Sequence, residues 1–115
     1  MRTKAGFEQH ERDIQQRLNL DATVTSGNQF HDPGDAVDNQ GDSPWPLYVE
    51  CKYTERKSYS VLRDYTDAIR RRAEMHGKRF VLAIRFWTNR DGRATDYVVM
   101  PLSDFEELLM KARLR

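Results

Sequence analysis

Apolar side chains first recur at helical spacing between residues 7 and 19, where Phe7, Ile14 and Leu18 form one stripe and predict a helix. Glu11 falls inside that stripe, within about 40° of all three, and is expected to point toward the interior. A carboxylate there needs a partner, because burying an uncompensated charge is costly. Glu8 and Asp13 point elsewhere and read as surface acids. Residues 20–25 predict a first strand, ended by Ser26-Gly27-Asn28, and a Gly/Pro-punctuated loop leads to a short second strand over 34–38. Residues 39–46 are polar and turn-rich, a connection between antiparallel strands. The alternating run from Leu47 to Tyr53 predicts a third strand. Helical periodicity resumes over 60–76 through Val61, Tyr65, Ala68, Ile69 and Ala73, with Gly77 as its stop. Residues 79–87 read as a largely apolar strand in the interior of a sheet, and a turn near Asn89-Arg90-Asp91-Gly92 leads to another over 95–100. Ser103-Asp104-Phe105-Glu106 has the form of a capping box, followed by a helix with Leu102, Phe105, Leu108, Leu109 and Ala112 as its apolar face. The predicted order is α-β-β-β-α-β-β-α. It gives an α/β (α+β) domain with a mixed sheet flanked by helices.

The third strand carries the most chemistry. Successive side chains point to opposite faces, so Leu47, Val49, Cys51 and Tyr53 share an apolar face. Glu50 and Lys52 then lie side by side on the other, roughly 6–7 Å apart at the backbone. Such a pair at a strand edge could hold a divalent cation and stabilise an attacking hydroxide or a phosphorane. Taken alone, the two residues are better read as an exposed ion pair on a solvated sheet face, and a chemical role needs support from what surrounds them.

Composition narrows the setting. A chain of 115 residues makes one domain, 1–115, with a single modest core. No apolar stretch approaches the roughly 20 residues of a membrane helix, and no signal-peptide pattern opens the chain. Cys51 is the only cysteine, which removes intramolecular disulfides and Cys-based zinc cages and points to a reducing compartment, the cytoplasm of a prokaryotic or phage-infected cell, or a nucleus. The net charge of +1 conceals a division. Residues 1–51 carry four Lys/Arg against nine Asp/Glu, residues 52–93 twelve against five, and the rest three against four. An acidic half beside a basic half suits a metal-dependent enzyme acting on a polyanion better than a general polyanion binder. Chance segregation of solvated charge is the simpler account.

Glu11, Asp35, Glu50 and Lys52 therefore stand out. Asp35 begins a strand expected to pair with the Glu50 strand, so the two carboxylates could meet at one sheet edge. Gathered carboxylates need a counter-charge. Mg²⁺, or Mn²⁺ in its place, takes one or two of them along with waters, and the Cys51 carbonyl could add an oxygen. Lys52 would orient or deprotonate the nucleophilic water, or offset charge on the phosphorane.

In this order the residues resemble the PD-(D/E)xK nuclease superfamily, and within it the archaeal-type Holliday-junction resolvases and their phage relatives. The resemblance spans roughly residues 4–87. Glu11-Arg12-Asp13-Ile14-Gln15-Gln16-Arg17-Leu18 looks like the first-helix motif, Ser26-Gly27 like the small-residue loop, Pro33-Gly34-Asp35 like the proline-aspartate element and Glu50-Cys51-Lys52 like the Glu-x-Lys element. Gly34 separates proline from aspartate, so Asp32 stands as an alternative to Asp35. The resemblance implies a restriction-endonuclease-like core and a Mg²⁺-dependent endonuclease. Its catalytic residues would be Glu11, Asp35, Glu50 and Lys52, and its metal ligands Asp35, Glu50, the Cys51 carbonyl and Glu11 through water. It also implies a homodimer, whose two-fold symmetry would match a four-way DNA junction. The chain is less basic than a strong junction binder, which leaves nicks, flaps, mismatches or a specific duplex site as other DNA substrates. A non-catalytic DNA-binding module of the same fold is the third reading.

The remaining candidates are weaker. Ser26, Arg56, Lys57, Arg63 and Arg71 are candidate phosphate contacts. Arg70, Arg71 and Arg72 span nearly a full helical turn and cannot all face one ligand. His10, His31 and His76 have no metal-ligand spacing, and Tyr59 and Tyr65 are expected to pack. Trp45 and Phe30 could stack on unpaired bases or make hydrophobic contacts.

Overall fold

The structure, a computed structural model, describes residues 4–22, 35–38, 43–88 and 92–114, with the backbone alone at Lys4, Ala22 and Asp35. Its elements in chain order are α1 (Lys4–Arg17), β1 (Asp21–Ala22), β2 (Asp35–Val37), β3 (Leu47–Thr54), α2 (Arg63–Met75), β4 (Arg79–Thr88), β5 (Arg93–Val99) and α3 (Leu102–Arg113). The strands form one five-stranded sheet in the order β1-β2-β3-β4-β5. The β3–β4 pair is parallel and the others antiparallel, so the sheet is mixed, as the pattern predicts.

Local chemistry sets the helix ends. Asn19 takes a left-handed conformation (φ 55°), which Asn tolerates better than most residues. Leu20 N–H then donates to the Gln15 carbonyl and Asn19 N–H to that of Gln16, closing α1 with a Schellman motif. The chain reverses there, so Leu20 enters the core and Leu18, expected to do so, is left exposed. Gly77 (φ 69°) ends α2 in the same way, with Lys78 N–H on the Ala73 carbonyl. At its other end α2 begins at Arg63, so Val61 lies outside the helix and is exposed. In α3 the expected capping box does not form. Pro101, with φ −59°, occupies the N-cap position and starts the helix early, which places Ser103 inside the first turn. The predicted apolar face of α3 is also largely uncovered, with Leu102, Phe105 and Leu108 exposed. Arg79 ties α3 to the sheet instead, bonding Asp104 at 3.0 Å and Glu107 at 2.9 Å. The same guanidinium stacks 4.5 Å from the ring of Trp45, a cation–π contact that accounts for this tryptophan.

The sheet has a core on each face. One joins Val49 and Cys51 of β3, Val81 and Ala83 of β4, Ala36, Leu20 and Ile14 of α1, with Phe7 packed against it. The other joins Tyr48, Phe80, Leu82 and Ile84 to Ile69 and Ala73 of α2, and Tyr59 packs against it as expected. The alternation predicted for β3 therefore holds, but its second face lies under α2 rather than in water. β3 is also the middle strand, not an edge. β2 matches it only from Tyr48 to Glu50, so Cys51–Thr54 has no register partner on that side among the described residues.

Candidate active site

Glu50 is the ladder partner of Asp35, the first residue of β2. Its side chain points to the α2 face and is fully buried (0% exposed), which rules out the exposed ion pair on a solvated face. Two donors share its Oε2. Lys52 Nζ lies 3.2 Å away, and the Tyr65 hydroxyl donates to it over 2.7 Å. Lys52 is 21% exposed, so the buried carboxylate reaches the surface through its cation. The ammonium also lies 5.1 Å from the Tyr65 ring centre, close enough for a cation–π contact. Helix and strand position the trio together: α2 packs on the sheet through Ile69 and Ala73, and Tyr65 is one turn before Ile69 on the same side. Burial pushes the Tyr65 hydroxyl up to about 12; the Lys52 ammonium opposes the shift and Glu50 reinforces it. The hydroxyl thus stays protonated, a donor, through neutral pH. Tyr65 is not a packing residue as expected. It is the third member of this group, and its 15-residue separation from Glu50 leaves no local sign of the contact.

The ladder places Asp35 directly opposite Glu50. Glu11 lies on α1, which covers the opposite face of the sheet through Ile14, and it is half-buried with Oε2 sealed from solvent. Hard oxygen donors from Glu50 and from position 35 are the right chemistry for Mg²⁺. Among the described residues, however, no three acidic, His or Cys side chains gather as a metal-binding group. Arg56 and Lys57 are exposed just beyond β3. Arg63 is exposed and pairs with Asp67 at 3.5 Å, while Arg71 projects into solvent two residues past buried Ile69. Ser26, Gly27, Phe30, His31, Asp32, Pro33, Gly34 and the turn residues 89–91 lie outside the described residues.

A second polar cluster occupies the α1 face. Arg85 of β4 bonds Asp96 of β5 through two nitrogens, each at 2.8 Å, and Asp13 of α1 at 2.7 Å. Arg17 adds a bond to Asp96 at 2.9 Å. Asp13 is therefore not the simple surface acid it was expected to be. Hydrogen bonding to Arg85 holds both carboxyls below their ordinary range. Next to them, His10 is fully buried and its Nε2 lies 3.0 Å from the Ala83 carbonyl, to which it donates. Burial lowers its pKa, and the hydrogen bond to Ala83 opposes that shift. Its spacing from Phe7 and Ile14 was the available signal that it belongs to the buried stripe.

Comparison with protein-family models, with curated proteins and with solved structures finds no match to this chain.

Proposed function

We propose that this chain is a Mg²⁺-dependent endonuclease acting on branched DNA, with the four-way junction as its first substrate and a restriction-endonuclease-like core. One observation carries the reading. A fully buried carboxylate in the middle strand is held by an ammonium and a phenol, with an aspartate of the adjoining strand opposite it. A buried ion pair is a poor device for stability alone, because well-packed apolar side chains usually serve as well or better. A site that keeps a lysine and a glutamate together there is better explained by chemistry.

Asp35 and Glu50 would hold the cation, with the Cys51 carbonyl; Glu11, carried by α1 on the opposite face of the sheet, is left out of this ligand set. When bound, it supplies Lewis-acid stabilisation at the phosphate. Lys52, already engaged with a carboxylate, presents positive charge and N–H donors. That suits stabilising the phosphorane or orienting water better than abstracting a proton. Tyr65 fixes the Glu50 carboxylate. Arg56, Lys57 and Arg63, with Ser26 and Arg71 as further candidates, would contact phosphates. The uncovered apolar residues of α3 are where we place the contact with a second copy, whose two-fold axis would match the junction's. No helix among the described residues is long and apolar enough to cross a membrane, which is compatible with a cytoplasmic enzyme of a prokaryotic or phage-infected cell.

The test is cleavage of a four-way junction and of a linear duplex of matching sequence, with and without Mg²⁺ or Mn²⁺. Glu50→Gln and Asp35→Asn are each expected to abolish metal-dependent cutting while the protein stays folded. Retained cutting by either variant would refute the assigned site, and equal cutting of both substrates would refute the junction preference. Binding without turnover in either metal would indicate a non-catalytic module.

A further inference from the structure

Past Lys52, toward the carboxyl ends of β3 and β4, lies an open groove of about 540 Å³. Phe86, Trp87, Thr95 and Tyr97 of β4 and β5 line it, with Arg56 and Lys57 of the loop after β3. Its position follows from the ladder. Lys52, Ile84 and Tyr97 are register partners in successive strands, so Tyr97 stands two strand spacings, roughly 10 Å, from Lys52. Thr54, Phe86 and Thr95 form the next row, toward the carboxyl ends of the parallel strands.

The lining has two chemistries. Phe86 and Tyr97 meet edge to face, with ring centres 6.0 Å apart and planes at 76°, which fixes the tyrosine ring without covering it. Tyr97 remains 59% exposed. The two cations outnumber the single lining acid, Glu55. Aromatic faces beside cations are what single-stranded nucleic acid needs, since a base stacks on the ring and its phosphate meets the cation. The volume lies within the range of pockets for small ligands and is ample for one base with its sugar. A paired duplex has its base faces covered and could not stack here.

We propose that this groove takes an unpaired base of single-stranded DNA immediately flanking the phosphate at Glu50 and Lys52, with Tyr97 as the stacking platform and Arg56 and Lys57 on its backbone. The inference rests on the nuclease reading for what it means biologically, and its substrate is then DNA that carries, or opens to, unpaired nucleotides beside the cut. The groove also moves the base-stacking role away from Trp45, whose ring is engaged by Arg79.

A single-stranded oligonucleotide containing 2-aminopurine, and a blunt duplex of equal length, are titrated with protein in a metal chelator. The native protein is expected to prefer the single strand and to quench the 2-aminopurine emission. Tyr97→Ala should weaken single-strand binding about tenfold and abolish the quench, whereas Tyr97→Phe should keep both. Lys57→Glu, in an exposed loop, should weaken binding and leave residual quenching at saturation. Equal affinity for both DNAs, or a Tyr97→Ala protein that binds and quenches like the native one, would overturn the groove even if junctions are cut in Mg²⁺. Quenching that depends on Tyr97 in a protein that cuts nothing would sink the nuclease reading and leave the groove standing.

Discussion

The two faces of the sheet each hold a buried or half-buried charge cluster, and they are built from different chemical parts. On the α1 face the cation is Arg85, gripping two aspartates with its fork, and a guanidinium stays charged at any ordinary pH. On the α2 face the cation is Lys52, a single ammonium beside a carboxylate that also accepts from Tyr65. Arginine with aspartates locks three elements, α1, β4 and β5, into one register. A lysine, a glutamate and a phenol instead join β3 to α2, with the carboxylate fully buried and the ammonium partly exposed. The first cluster has the form of a clamp, and the second is the one we propose for reaction.

Removing the central cation from each face separates these roles most sharply. Lys52→Met is expected to lower junction cleavage by about 10² to 10⁴-fold, through loss of charge stabilisation at the phosphate. Arg85→Met removes the cation that Asp13 and Asp96 share, leaving them only Gln9 and the exposed Arg17, and should cost on the order of 3 kcal/mol in urea unfolding, with the activity of each folded molecule unchanged. The reverse pattern, an inactive but fully stable Arg85 variant, would exchange the two assignments.

A smaller effect tests Tyr65. Tyr65→Phe keeps the ring against Lys52 and deletes the hydroxyl, with its donation to Glu50 and its hydrogen bond from Lys52. The expected loss is about 1 kcal/mol in stability and five- to tenfold in cleavage, since the carboxylate is less firmly aimed. With the phenol's pKa at about 12, the native pH–rate profile should show no break from Tyr65 below pH 11. If the variant matches the native enzyme in both rate and stability, Tyr65 is a bystander.

The sequence made legible what is local. The alternation of Val49 and Cys51, the stop at Gly77 and the pairing of Asp35's strand with that of Glu50 all follow from period-2 faces, a left-handed glycine and short connections. The pattern misleads where a shift of two residues matters: Leu18 against Leu20 at the end of α1, Val61 before α2, and Ser103, displaced by Pro101. The site was legible in Glu50 and Lys52, which are neighbours on one strand face. It was not legible in Tyr65, nor was the clamp in Arg85 and Asp13, 72 residues apart, because no local pattern encodes a contact that the packing of separate elements creates. Burial of Glu50 was missed for the same reason, since α2 covers a face that alternation alone leaves open.

The subtlest difference between the faces is in pH response, and His10 controls its first stage. Burial holds the folded imidazole below its ordinary value of 6.5, so the unfolded chain takes up the proton first as acid is added. Its contribution is fully present above about pH 6.5 and is lost as pH falls from there toward the folded value. Arg85, Asp13 and Asp96 face the ring, and the two acids follow later. Their folded values lie below 3.8, so the stability they give is present above about pH 4 and lost as pH falls through the folded values. His10→Gln keeps an N–H for the Ala83 carbonyl and cannot titrate. It should flatten the melting temperature between pH 5 and 6.5 while leaving the loss below pH 4 in place. An unchanged slope between pH 5 and 6.5 would show that some other group governs the first stage, and the α1 face would then be a clamp without a pH-sensitive neighbour.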